Sequence, residues 1–169
     1  MANLKLKNPS GGSLNLVSVD GASDLTLTLP ATTGTAMVSG NMPAFSANGT
    51  TSVSSSTLTT LTFGTEQFDT NNNFASNTFT PTVAGYYQIN FGLTYASAPS
   101  GQAYCQLRKN NTFYSNAVQS SGGYLTSHTG SVLLYMNGST DYLTVICAQF
   151  GGTTISADAV INGCLMRSA

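Results

Sequence analysis

Charge is what this sequence most lacks. Its 169 residues include five basic and six acidic side chains, 7% of the chain, against about 25% in an ordinary soluble domain. The five cations, Lys5, Lys7, Arg108, Lys109 and Arg167, cannot build the phosphate-neutralising patch on which nucleic-acid binding depends. No apolar run approaches the roughly 20 residues that cross a bilayer. The opening "MANLKLKNPS" also lacks the apolar centre of a secretory signal. No membrane insertion is therefore expected, and synthesis in a cytosol is. Disorder fits poorly, because disordered chains join low hydrophobicity to high net charge; here 41% of residues are hydrophobic and the net charge is −1.

Cysteine is scarce and odd in number. Cys105, Cys147 and Cys164 show no paired spacing, and each lies in a strand-like run. Buried free thiols are the expectation, with a metal site or an interchain disulfide left open.

What is present is a period of two. In "FTPTVAGYYQINFGLTY" (79–95) the residues Tyr87, Ile89, Phe91, Leu93 and Tyr95 alternate with Tyr86, Gln88, Asn90, Gly92 and Thr94. One face is thus apolar and the other mostly polar, as in a half-buried strand. Tyr87, Ile89, Phe91 and Leu93 are expected in the core, each contributing roughly 1.5 to 3 kcal/mol on burial. Similar short runs occupy 25–29, 57–63, 103–109, 112–118, 131–136, 141–149 and 159–166. Between them lie the turn signals "NNN", "PSG", "KNN", "SGG", "NGS" and "GG". With no amphipathic helix in view, the pattern predicts an all-β antiparallel β-sandwich of jelly-roll type.

Composition breaks near residue 40. The segment before it carries no aromatic residue and cannot build a core of its own, so residues 1–40 are expected to attach to something else and 41–169 to form the globular domain. Lysine is almost absent beyond residue 7, although sheet edges are commonly guarded by it. Closed self-association is the economical alternative. Tyr86, Leu133 and Tyr135, on the outward side of their strands, are the expected interface residues.

Sites for chemistry are few. His128, the one histidine, has Asp141 and Asp158 as partners for a triad, but no serine in a nucleophile-elbow setting; it is read as a loop or strand-edge residue. Glu66 and Asp69 are read as a solvated pair rather than as glycosidase carboxylates. "DTNNN" (69–73) starts like a calcium loop and then fails the pattern at Phe74 and Thr80, which leaves an Asn-rich turn. No catalytic, cofactor or metal residue is assigned, and no enzyme activity is expected.

"MPAFSANGT" (42–50), "FGTEQFDTNNNF" (63–74) and "FTPTVAGYYQINFGLTY" (79–95), followed by "CQLRKNN", "GSVLLYMNGSTDYLTV" and "INGCLM", resemble the globular head of complement component 1, subcomponent q, and its tumour-necrosis-factor relatives. Gly85, Tyr86 and Tyr87 fill the Gly-x-Tyr-Tyr-like element, with Phe79, Thr80 and Pro81 upstream. The resemblance implies a jelly roll that assembles as a homotrimer. The family's Gly-Asp turn is stretched here to Gly138–Asp141 and the collagen-like stalk is missing, so neither complement ligands nor calcium sites carry over. "SDLTLTLPATTGTAMVSG" (23–40) is similar to segments near the start of tail-fibre and head-fibre proteins of tailed bacteriophages. Together these imply a virion structural protein made in the host cytoplasm: a trimeric capsid decoration or head-fibre protein gripping other virion proteins through residues 1–40. The alternative is a tail-fibre or receptor-binding protein that recognises a host surface glycan or protein.

Overall fold

The computed structural model describes residues 4–7, 9–16, 42–117 and 125–169. The expected strand at 25–29 and the "SGG" turn lie outside them. The chain divides into two compact units, Met1–Gly34 and Thr35–Ala169, slightly ahead of the composition break. In the first, β1 (Leu4–Lys7) and β2 (Ser13–Leu16) form an antiparallel hairpin.

Every regular element described in the second unit is a strand. In order these are β3 (Ala44–Val53), β4 (Thr59–Thr60), β5 (Thr65–Asp69), β6 (Phe74–Ala75), β7 (Thr78–Phe79), β8 (Gly85–Tyr95), β9 (Ala103–Lys109), β10 (Thr112–Asn116), β11 (Ser127–Met136), β12 (Leu143–Gln149) and β13 (Ile155–Ser168). They form two antiparallel sheets. One runs β11-β8-β13-β3-β5; the other runs β10-β9-β12-β7-β6, with β4 also paired to β12. Apart from the hairpins β6–β7 and β9–β10, consecutive strands fall in different sheets, and the result is the jelly-roll sandwich expected from the sequence.

The period-two pattern sets the register of the layers. Tyr87, Ile89, Phe91, Leu93 and Tyr95 on β8 all point inward and are buried, while Tyr86, Asn90 and Thr94 are exposed on the other face. Aromatic rings tie the two sheets together. Phe45 of β3 stacks on Phe79 of β7, with ring centroids 4.1 Å apart, and on Phe74 of β6 at 5.3 Å. Phe79 meets Tyr87 of β8 edge-on at 5.5 Å, and the Tyr87 hydroxyl donates to the carbonyl of Val83 (2.8 Å). Burial pushes the Tyr87 phenol up to about 12, so it keeps that proton at any physiological pH.

The run 57–63 forms less strand than its alternation suggests. Only Thr59 and Thr60 pair, opposite Cys147 and Ile146, while Leu61 and Phe63 are buried as loop residues. This loop packs against the inward side of β3, where Gly49 is required: a Cβ there would collide with the carbonyl of Thr62 and the amide of Gly64.

Candidate interaction surface

The outward side of the five-stranded sheet carries the residues that sequence reasoning placed at an interface. Tyr86 and Tyr135 are direct cross-strand partners on β8 and β11. Their rings meet edge-on at 5.5 Å and remain 42% and 41% exposed, with Leu133 beside them at 55%. Tyr86 and Tyr135 are one non-hydrogen-bonded pair, which is the arrangement that brings facing side chains closest.

More apolar surface lies on the same sheet than the sequence analysis assigned. Phe68 on β5 and Met166 on β13 are more than half exposed, and Val160 is also exposed. Phe68 and Cys164 line one shallow hollow with Gln88, Asn90 and Asn162; Val160 lines a second with Asn90, Thr129 and Gly130. The signal for these residues was the outward parity of "AVINGCLM", whose inward members Ala159, Ile161 and Leu165 are buried. Polar side chains at the centre of the face satisfy one another. Gln88 donates to Ser131 (2.8 Å), the Ser131 hydroxyl donates to Asn90 (2.7 Å), and Asn90 donates to Asn162 (3.0 Å). A surface already saturated in this way can meet a neighbour without stranding polar groups.

One charged cluster sits at the edge of this surface. Lys109 at the end of β9 pairs with Asp141 at 2.8 Å, donates to the backbone carbonyl of Tyr135 at 2.7 Å, and lies 5.8 Å from the Tyr135 ring centre. Because Tyr86 and Tyr135 do not exchange backbone bonds, that carbonyl points to the free edge of β11. Lys109 therefore blocks an edge position from the opposite sheet, a use of lysine consistent with edge protection. Asp141 also accepts from the Asn110 amide (2.8 Å) and the Asn137 backbone N–H (2.9 Å). Asn137 in turn accepts the N–H groups of Ser139, Thr140 and Asp141, each at 3.0 Å. The stretched turn is thus held by asparagine, with Gly138 at φ +71°.

The remaining sequence candidates are dispersed. His128 lies near the start of β11, the edge strand of its sheet, as the strand-edge reading expected, but with its side chain fully buried and edge-on to Tyr95 at 5.6 Å. It shares the inward parity of Leu134 and Met136, which its polar sequence neighbours concealed. Asp158 accepts from Thr50 (2.7 Å) and Asp141 is held by Lys109, so both carboxylates considered for a triad are engaged elsewhere. Asp69 accepts the N–H groups of Asn71 (3.2 Å) and Phe74 (2.6 Å), closing the Asn-rich turn, while Glu66 is exposed. Among the described residues, no three His, Cys, Asp or Glu side chains gather as a metal site.

Two of these groups set an expected acid response. Burial lowers the His128 pKa below its usual 6.5, against backbone hydrogen bonds at Ala103 and Thr126 that pull the other way. The folded state favours neutral His128, so this stability is complete above about pH 6.5 and declines as the pH falls below it. Burial raises the Asp141 pKa, but Lys109, Asn110 and the Asn137 N–H outweigh it and hold the carboxyl below its usual value. Its contribution is present above about pH 4 and is lost as acid protonates the folded carboxylate. Thermal melts should show Tm falling by a few degrees between about pH 7.5 and 5, then falling further toward pH 3. In Asp141→Asn the second decline should shrink while the first persists.

The fold is the jelly roll of complement heads and tumour necrosis factors. No protein-family profile and no curated protein matches the sequence; solved structures do. The globular domain of zebrafish complement 1qA is 21% identical, with a TM-score of 0.56 over 75% of this chain and 99% of that one. PRD1 vertex protein P5 is 16% identical, with a TM-score of 0.56 over 74% and 97%. Eiger TNF from S. frugiperda is 13% identical, with a TM-score of 0.57 over 76% and 93%.

Proposed function

We propose that this chain is a structural protein of a bacteriophage virion: a homotrimeric capsid decoration or head-fibre protein. In this reading residues 41–169 form the jelly roll and residues 1–40 attach it to other virion proteins. The observation that carries it is the sparsely charged, partly apolar outer face of the five-stranded sheet, with Tyr86, Leu133 and Tyr135 exposed on it, on a fold shared with a vertex protein. Exposed large apolar side chains clustered on one face are costly for a monomer and mark a contact surface. The fibre-like segment 23–40 supplies the link to a phage particle. Light scattering on the purified full chain should return three times the mass of one chain; a stable monomer at micromolar concentration would overturn the trimer. Quantitative gels of intact particles should then give hundreds of copies for a decoration protein and tens or fewer for a fibre.

A second reading has its own observation. The other sheet and its flanking loops expose Phe113, Tyr114 and Phe150, with Tyr104 against Phe150 at 6.4 Å. Exposed rings of this kind suit contact with a host surface glycan or protein. Binding to host cells that disappears in Phe113→Ala or Phe150→Ala, with the trimer mass unchanged, would favour a receptor-binding role over decoration.

A further inference from the structure

Cys105 on β9 and Cys147 on β12 stand directly opposite each other, both fully buried and both free thiols. The kind of pair they form can be read from the surrounding backbone. The Cys105 carbonyl accepts from Ala117, on the β10 side of its strand (2.8 Å). Bonds from Asn110 N–H to the Tyr142 carbonyl and from Phe150 N–H to the Gln102 carbonyl place the β9–β12 ladder at even-numbered positions. Val145 and Gln149 instead turn their carbonyls away, to Leu61 and Ser56. Since backbone groups alternate sides along a strand, Cys105 and Cys147 are a non-hydrogen-bonded pair. Such pairs hold their Cα atoms about 4.5 Å apart, inside the roughly 4.4–6.8 Å that a disulfide spans. The two thiols also sense each other, ionisation of Cys147 opposing that of Cys105 after the larger effect of burial.

We propose that Cys105 and Cys147 are a disulfide-forming pair whose redox state is fixed when the chain folds. In a reducing cytosol the sheet closes over two thiols. Burial then pushes Cys147 up to about 12 and Cys105 further still. The native protein offers almost no thiolate at neutral pH and no access for an oxidant, so it does not exchange. An unfolded chain has neither protection. One thiolate attacks glutathione disulfide, displacing one glutathione; the second attacks the mixed disulfide, displacing another. Two protein thiols lose two electrons and two protons, and glutathione disulfide becomes two glutathiones. The bond cross-links neighbouring strands and closes a loop of about 40 residues in the unfolded chain, which stabilises the fold. Nothing in this depends on the virion reading.

The test uses the full chain carrying Cys164→Ser, which removes the exposed thiol. One sample is refolded from guanidinium with a mixture of reduced and oxidised glutathione, a second with reductant alone. The first should lose about 2 Da, react with no alkylating agent when denatured, yield a peptide linking Cys105 to Cys147, and melt several degrees higher. The second, incubated natively with oxidised glutathione, should keep both thiols. Glutathione adducts, interchain links, an oxidised form that melts lower, or ready oxidation of the native protein would each overturn the proposal.

Discussion

Phe45→Ala is expected to leave little folded protein. Phe45 is 1% exposed, and its ring is sandwiched within the stack formed by Phe79 and Phe74 from the opposite sheet. Removing a buried phenylalanine costs about 3–5 kcal/mol, transfer and cavity together, and aromatic pairing adds roughly 0.5–1.5 kcal/mol per contact. A domain with a total stability of about 5–15 kcal/mol is left marginal by such a loss. Circular dichroism and a denaturant titration measure it. Tyr87→Ala or Phe91→Ala should cost about 3–5 kcal/mol by the same cavity mechanism. An unchanged melting temperature in any of the three would refute the placement of these rings between the sheets.

Leu133→Arg should do the opposite: spare the fold and abolish the proposed trimer. Leu133 is 55% exposed in the single chain, and surface substitutions there usually change stability by about 0.5 kcal/mol or less. At a threefold contact the new guanidinium would be desolvated without a partner, at a cost of several kcal/mol per copy. The five-stranded sheet offers few anions to receive it, because its centre is a ladder of Gln88, Ser131, Asn90 and Asn162 already bonded to one another. Light scattering should fall from three chains to one with Tm nearly retained. A trimeric Leu133→Arg would remove this face from the interface.

The sequence revealed most where one alternation governed a whole strand. The row from Tyr87 to Tyr95 read directly as an inward face because each large side chain falls on the same parity. The outward members of β13 followed the same rule but were hidden by Gly163 and by the register shift between Leu165 and Arg167. The burial of His128 was hidden because its neighbours Ser127 and Thr129 face outward; only its parity with Leu134 and Met136 gives it away. The Lys109–Asp141 clamp and the Cys105–Cys147 pair were beyond reach for a different reason. Both depend on which strand lies beside which, and tens of residues separate the partners along the chain. Local propensity carries no information about such register until the topology is fixed.

The position of β13 has a consequence for how the molecule comes into being. It lies between β8 and β3, pairing Cys164 with Ala44 at one end and Ile155 with Val53 at the other. The first long strand of the domain to leave the ribosome must therefore wait for the last before this edge is satisfied. Contacts so distant along the chain make folding slow, and β3 is open to wrong partners in the interval. Any association between copies that uses this sheet is then a late event, gated by the arrival of β13.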